Sequence, residues 1–451
     1  MKNIILILGL IGYGAAYNIE HYKNKIFYIK AENAQVIENG HSIVFKTKIH
    51  ANKAVILNNG KIIVQYKDTL TLLTPDANTL SKVPTGFQPK ILIPESSGRN
   101  AIIGKPDRHK KTYKIYQVEF STGKITTIAT LDKLHFPGIA PIKRAENLIK
   151  NNPDFAEEYF SLVYAYEDFK GGFLRHDTLY LWFAPDYGLH KGRTYAIPIG
   201  KKEIITVSKD ANALLGYTKG SLAYTRTFDE DASTIEKAVY VLSSGKIKRY
   251  PFYFVGTNNV KYGQDRVFAI YRDSLFIINL RQNKYRATCL PGKEAKLKFV
   301  THSGMRAFLT YKKDNINYLA LYDIHTNSLH TLYSNFKHDI SFLNATYDGE
   351  AFVFGHDNLL HIGYTDDYQK PFVIIKAPDT TKHKTIKLSV YSSDAAFVSG
   401  IKAVKLDSSV IVNDTTLEIS LKDSLNVFTV KATDRANNKR VVKKSVFYKG
   451  E

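Results

Sequence analysis

One cysteine, Cys289, stands in a chain of 451 residues. No disulfide can form within the chain, and no cysteine-based metal site can be built. Signatures of catalysis are missing too. There is no His-Glu-x-x-His for zinc, no Gly-x-Ser-x-Gly elbow for a serine nucleophile and no glycine-rich phosphate loop. Beyond the first sixteen residues no segment is long and apolar enough to cross a bilayer as a helix. The sequence therefore calls for no cofactor and no metal. No run of five basic residues occurs, although 63 Lys and Arg outnumber 42 Asp and Glu and leave a net charge of +21. Charge scattered in this way makes a basic surface that favours anionic neighbours, and it argues against a nucleic-acid footprint. The densest basic patches, 108–111 and 440–444, suit solvated loops or edge strands.

The N-terminus carries a targeting pattern. Lys2 precedes the apolar run IILILGLIGY at 4–13, and Gly14, Ala15 and Ala16 are the small residues that precede a cleavage site. Residues 1–16 are expected to be a signal peptide cut before Tyr17. No cysteine follows to take a lipid. The expectation is an extracytoplasmic product, periplasmic or at the cell surface, with no transmembrane segment after signal removal.

Aromatic residues make up 12% of the chain, mostly 30 Tyr and 25 Phe, and they favour strand surfaces. The body reads as short alternating strands broken by polar turns, with little helical periodicity. One unit recurs: an alternating apolar strand, a polar turn, then a β-branched strand. Its turns centre on Asp76, Thr122, Gly200, Ser244, Gln282 and Thr326. All but one of the spacings fall near 44, the period of four-stranded blades stacked around an axis. The long gap after Thr122 holds Ile142, Ala145, Leu148 and Ile149 at helical spacing, which predicts a helical insertion near 141–158. After the last unit, 340–342, 351–354 and 359–362 supply only three strands. An N-terminal strand is expected to complete that sheet and close the ring.

The unit, over roughly residues 20–370, resembles the broad bacterial β-propeller group with WD-like and YVTN-type repeats. It lacks the Trp-Asp dipeptide, the YVTN tetrapeptide and the kelch Gly-Gly, so no family-specific function is implied. A linker reads at 366–371, and a different rhythm of about seven short strands follows. SGIKAV at 399–404 and VKATDRANN at 430–438 resemble bacterial immunoglobulin-like modules. The expected fold is all-β: a β-propeller of about seven blades, within a range of six to eight, over 17–370, then an Ig-like β-sandwich over 371–451.

Candidate chemistry is thin. Asp229-Glu230-Asp231 lacks the spaced ladder of a calcium loop and reads as a solvated hairpin tip. Asp366 and Asp367 read as a solvated linker turn. Glu157, Glu158, Glu167, Asp168 and Asp186 could serve a glycan-cleaving funnel, yet nothing in their spacing selects a pair. His356 and His361 read as structural, being five apart on strands and so on opposite faces unless a turn intervenes. Asn344-Ala-Thr346 and Asn413-Asp-Thr415 fit the glycosylation sequon. The best ligand candidates are in the aromatic-rich stretch after the insertion. There Trp182 and Tyr187 could stack on sugars while Arg175, Lys191 and Arg193 hold acidic groups.

These features lead to three expectations. The first is a non-enzymatic binding or scaffold protein whose propeller face holds a protein or glycan of the cell envelope. The second is a glycan-active hydrolase or lyase with two carboxylates converging on the axis. The third is an anionic-polymer binder with one contiguous basic face. The lining of the axial channel separates them.

Overall fold

The structure is a computed structural model. It describes residues 16–22, 25–30, 34–39, 42–107, 112–131, 168–175, 177–184, 193–201, 204–208, 213–218, 221–225, 238–243, 246–251, 260–282, 284–334, 336–368, 370–393, 401–422, 424–434 and 436–450. Residues 1–15 of the expected leader, the expected helix at 141–158 and the acidic turn 229–231 lie outside these. Among the described residues every regular element is a β-strand, and no helix is long and apolar enough to cross a membrane.

Six four-stranded antiparallel sheets follow one another at 53–84, 91–131, 168–208, 213–251, 260–289 and 293–334, each paired in chain order. They are numbered 1 to 6 below. All six recurring turns of the sequence fall between the third and fourth strands of these sheets. A further sheet begins with Leu343–Ala345, Ala351–His356 and Leu359–Thr365 and is completed by Ser42–His50 and Ala34–Asn39 from the other end of the chain. Its register sets Thr365 opposite Ser42 and Ile362 opposite Phe45. Thr47 Oγ1 donates to the Leu360 carbonyl at 2.7 Å, tying residues 313 positions apart. This sheet is called the closing sheet.

First strands of neighbouring sheets touch all round except between sheets 1 and 2, which pack through Ile63, Leu72, Leu92 and Ile103. Leu343–Ala345 meets Lys53–Ile56, and Ile91–Pro94 meets Asp168–Arg175. The series runs on through Ala213–Thr218, Val260–Gly263 and Lys293–Val300, back to Leu343–Ala345. The sheets therefore stand around an axis with their first strands innermost, a β-propeller-type arrangement. Both faces of each sheet must then be covered, and the sequence meets this with near-continuous apolar runs. Ile62 and Val64 pack with Phe45, Val353 and Ile362 of the closing sheet. Their neighbour Ile63 points the other way, to Leu92, Ile103 and Val118 of sheet 2.

Hydrogen bonds stitch successive first-to-second-strand turns on one end of the ring. Gln264 N–H donates to the His302 carbonyl (3.3 Å) and Ser303 N–H to the Tyr347 carbonyl (2.9 Å). Tyr347 N–H donates to Asn58 Oδ1 (2.8 Å), and Asn59 Nδ2 donates to the Ser97 carbonyl (3.2 Å). The backbones come so close that a Cβ on Gly263 would sit 2.3 Å from the Thr301 carbonyl oxygen. Glycine is required there by space alone.

The chain leaves the closing sheet through a pinned segment. Arg306, on the second strand of sheet 6, is 1% exposed. Its Nε donates to Asp323 Oδ2 at 2.8 Å, its Nη1 to Thr365 Oγ1 at 3.0 Å, and its Nη2 to the Asp366 carbonyl. The Tyr368 ring lies 5.1 Å from the guanidinium. Burial pulls this guanidinium down, but the Asp348 and Asp323 carboxylates outweigh it and hold it above its ordinary value. Asp367 is buried and its carbonyl accepts from Asn438 Nδ2 at 3.2 Å. The expected solvated linker turn at 366–367 is thus a clamped one, because Arg306 supplies a planar fork of donors that orders the backbone around it.

Residues 372–448 form two further sheets. One pairs Phe372–Lys376, Thr385–Ser393 and Thr415–Ser420. The other pairs Thr380–Thr381, Lys439–Tyr448, Leu425–Asp434, Ile401–Leu406 and Ser409–Ile411. Val373, Leu388 and Val390 from the first sheet share one core with Val404, Val430, Ala432 and Val446 from the second. This is a two-layer sandwich.

Candidate functional site

The unpaired edges of the innermost strands surround a cavity of about 480 Å³ on the axis. Its walls come from the C-terminal ends of those strands and the turns after them. They include Ile56 and Asn58 from sheet 1, Ile93 from sheet 2, Gly172 from sheet 3, Lys261 from sheet 5, Lys298 and His302 from sheet 6, and Asn344 from the closing sheet. The cavity therefore lies toward the stitched turns. Gly172 leaves no room for a side chain, since a Cβ there would meet the Tyr180 carbonyl oxygen at 2.6 Å. Asn344, one of the sequon asparagines, accepts the Ile56 N–H at 3.0 Å and serves the ring itself.

The charges here are positive. Burial lowers the Lys261 ammonium, and the nearby Lys298 charge lowers it further. Lys298 Nζ lies 2.8 Å from Asp339, which also receives Lys296 at 3.4 Å. Burial raises the Asp339 carboxyl, but the hydrogen bond and charge of Lys298 outweigh it and leave it below its ordinary range. No Asp or Glu is among the described residues that line this cavity.

A second depression of about 590 Å³ opens on the same end of the ring. Asp265, Arg266 and Arg281 of sheet 5 line it with His325 of sheet 6, Asp348 of the closing sheet, and Tyr368 and Lys370 of the clamped segment. The Arg281–Asp265 pair, 2.7 Å apart, spans its rim with Arg281 largely in water, so it orients more than it stabilises. Burial lowers the His325 imidazole against the opposing pull of Asp323, and its ring nitrogens add hydrogen-bonding groups to the groove. The groove offers both signs of charge, an aromatic ring and amide groups, a lining that fits a peptide or sugar surface.

Of the ligand candidates expected from sequence, Tyr187 and Lys191 lie outside the described residues. Trp182 is 1% exposed, and its ring belongs to the core. Arg175 pairs with Thr178 at the first hairpin of sheet 3, whereas Arg193 pairs with Phe183 at the other end. Five strand residues, about 17 Å, separate the two backbone positions. Asp168 opens the innermost strand of that sheet; Glu157, Glu158, Glu167 and Asp186 lie outside the described residues.

His356 and His361 are brought together after all. Asp357 and Asn358, with φ of 51° and 59°, make a tight turn between their strands. The two rings lie 5.9 Å apart, within a cluster holding Tyr333 and Phe354. Among the described residues no group of three His, Cys, Asp or Glu is placed to hold a metal.

The chain matches no protein-family profile, and no curated protein matches it in sequence. Among solved structures it is similar to a chain of the crystal structure of a mitotic checkpoint complex, at 10% identity and a TM-score of 0.45, over 81% of this chain and 99% of that one. It is also similar to a chain of hydrazine synthase from Kuenenia stuttgartiensis, at 9% identity and a TM-score of 0.44, over 71% of this chain and 97% of that one. Neither likeness transfers an activity to this chain.

Proposed function

We propose that this chain is an exported, non-enzymatic binding scaffold of the cell envelope: a leader at 1–16, a seven-bladed propeller over 17–370 and an Ig-like module over 371–451. Each of the six four-stranded sheets is read as one blade and the closing sheet as the seventh. The Ig-like reading rests on the two-layer sandwich of short antiparallel strands that follows the clamp. The partner, a protein or glycan surface, docks on the stitched-turn end over the groove between Arg281 and Lys370.

One observation carries this reading. The groove is assembled from turns of three neighbouring sheets and the segment leading to the sandwich, and it mixes charge with an aromatic ring. A glycan hydrolase needs two carboxylates ~5–10 Å apart at its centre, and the described residues of the axial lining offer lysines.

The test is capture from envelope fractions by the mature chain, residues 17–451, beside the double variant Arg281→Glu with Lys370→Glu. The expected result is a discrete captured species that the charge-reversed protein fails to retain. Equal capture by both proteins would move the binding face elsewhere. Release of reducing sugar from envelope glycans by the wild type would end the scaffold reading.

A further inference from the structure

The axial cavity has its own chemistry, separate from the groove. Asp339 is shared by Lys296 and Lys298, and Lys261 adds a third ammonium within reach of the Lys298 charge. Three lysines against one aspartate leave the cluster two positive charges in excess. Lys261 lies on the innermost strand of sheet 5, between the core residues Val260 and Tyr262. It lines the cavity wall beside Lys298. Both lysines line the one recess, where each disfavours the other's charge, and a recess lined by one sign of charge focuses its field. Such an arrangement persists at low cost when an anion sits between them. The same wall presents amide edges of innermost strands, which can donate to oxygens. His302 and Asn344 add polar groups to the lining.

We propose that the axial cavity binds a small, doubly charged oxyanion between Lys261 and Lys298. Phosphate and short dicarboxylates share the required chemistry: two negative charges and several acceptor oxygens within a few ångströms. Asp339 and the Ile340 carbonyl hold the Lys298 ammonium in place at the wall, so the anion joins a charge that is already positioned. Occupancy relieves the lysine–lysine repulsion and couples sheets 5 and 6 at the axis.

The experiment uses the mature full chain and two probes, inorganic phosphate and malonate, in separate calorimetric titrations with chloride as the background anion. One saturable site per chain is expected for at least one probe, and the tighter arm tells a phosphate-type anion from a dicarboxylate. Lys261→Met should weaken that binding about tenfold or more. Lys261→Arg should keep most of it, and Lys293→Met, at an exposed position of the same sheet 6 strand, should leave it unchanged. A second measurement needs no variant. Acetylation of Lys261 by an amine-reactive ester, followed by peptide mass spectrometry, should slow several-fold when the bound probe is present. The proposal is overturned if neither probe binds saturably at millimolar concentration, or if Lys261→Met, melting as the wild type does, binds as the wild type does. Equal labelling of Lys261 with and without the probe also overturns it.

Discussion

The closing sheet and the C-terminal sandwich are built from the same kinds of strand and treat them in opposite ways. Ala351–His356 is buried at every position, and Leu359–Thr365 at all but its first. Thr385–Ser393 alternates buried with exposed residues, and Thr415–Ser420 alternates half-buried with exposed ones. The difference lies in the neighbours. A sheet set between two others in a ring has no solvent face, so AFVFGH carries apolar residues on both sides of the pleat. A sheet in a two-layer sandwich has one wet face, so TIKLSV alternates. Polar groups follow suit. In the ring they are buried and must be answered, as Arg306 is by Asp323. On the sandwich Val412 stands 78% exposed, whereas no residue of Ala351–His356 in the closing sheet is exposed.

That contrast can be broken at its strongest point first. Arg306→Met removes the donor fork, leaves the Asp323 carboxylate buried and uncompensated, and frees the segment at 365–368. The expected loss is about 3–5 kcal/mol of stability, read as a lowered denaturation midpoint, with new proteolytic cleavage near Asp366. Undiminished stability with an uncut chain would show that the clamp is ornamental.

In the sandwich, Leu388→Ala opens a cavity in the shared core and should cost about 2–5 kcal/mol. The loss should appear in a transition that leaves the ring's melt in place. A single merged transition shifted as a whole would mean that the two units unfold together.

A pH titration sharpens the comparison further. Burial pushes the His361 imidazole down to about 4, with Lys46 and His356 adding to that and the Leu359 carbonyl and Asp357 opposing it. Above about pH 6.5 the ring is neutral whether the chain is folded or not. Between about 6.5 and 4 the unfolded chain takes a proton that the folded protein refuses. Stability therefore falls as pH drops through that window, by about 3 kcal/mol in full. His361→Phe should flatten this slope in chemical denaturation at pH 7 and pH 4.5. An unchanged slope would assign the acid sensitivity to another group.

The smallest effects separate crowded from open backbone. Gly363→Ala drives a Cβ to within 2.1 Å of the Phe352 ring and should cost about 1–3 kcal/mol. Val412→Thr on the sandwich should stay within about 0.5 kcal/mol of the wild type. Equal melting shifts for these two would erase the distinction between the regions.

The sequence made the repeat legible through its third-to-fourth-strand hairpins, because those turns are polar, short and regularly spaced. The strands that line the axis were not legible. Val260–Gly263 and Leu343–Ala345 are too brief to show a period, and Lys261 looks like any other surface lysine until the ring closes around it. The clasp of Arg306 on Asp366 joins residues sixty positions apart, beyond the reach of local pattern. For His356 and His361 the sequence left the face open, depending on whether a turn lay between them; the Asp357-Asn358 turn reverses the chain there and sets both rings in one aromatic cluster. Trp182 misled through composition, since aromatic density fits buried sheet faces as well as sugar-binding ones.

Closure of the ring by Ser42–His50 has a consequence in time. A ribosome adding roughly 5–20 residues per second takes on the order of fifteen seconds to a minute to deliver Leu359–Thr365, its partner. Throughout that wait the early hairpin offers a bare hydrogen-bonding flank to anything nearby, including a sister chain. Lys46 and Lys48 lie along that strand, and lysines on an edge strand disfavour pairing with a like-charged copy.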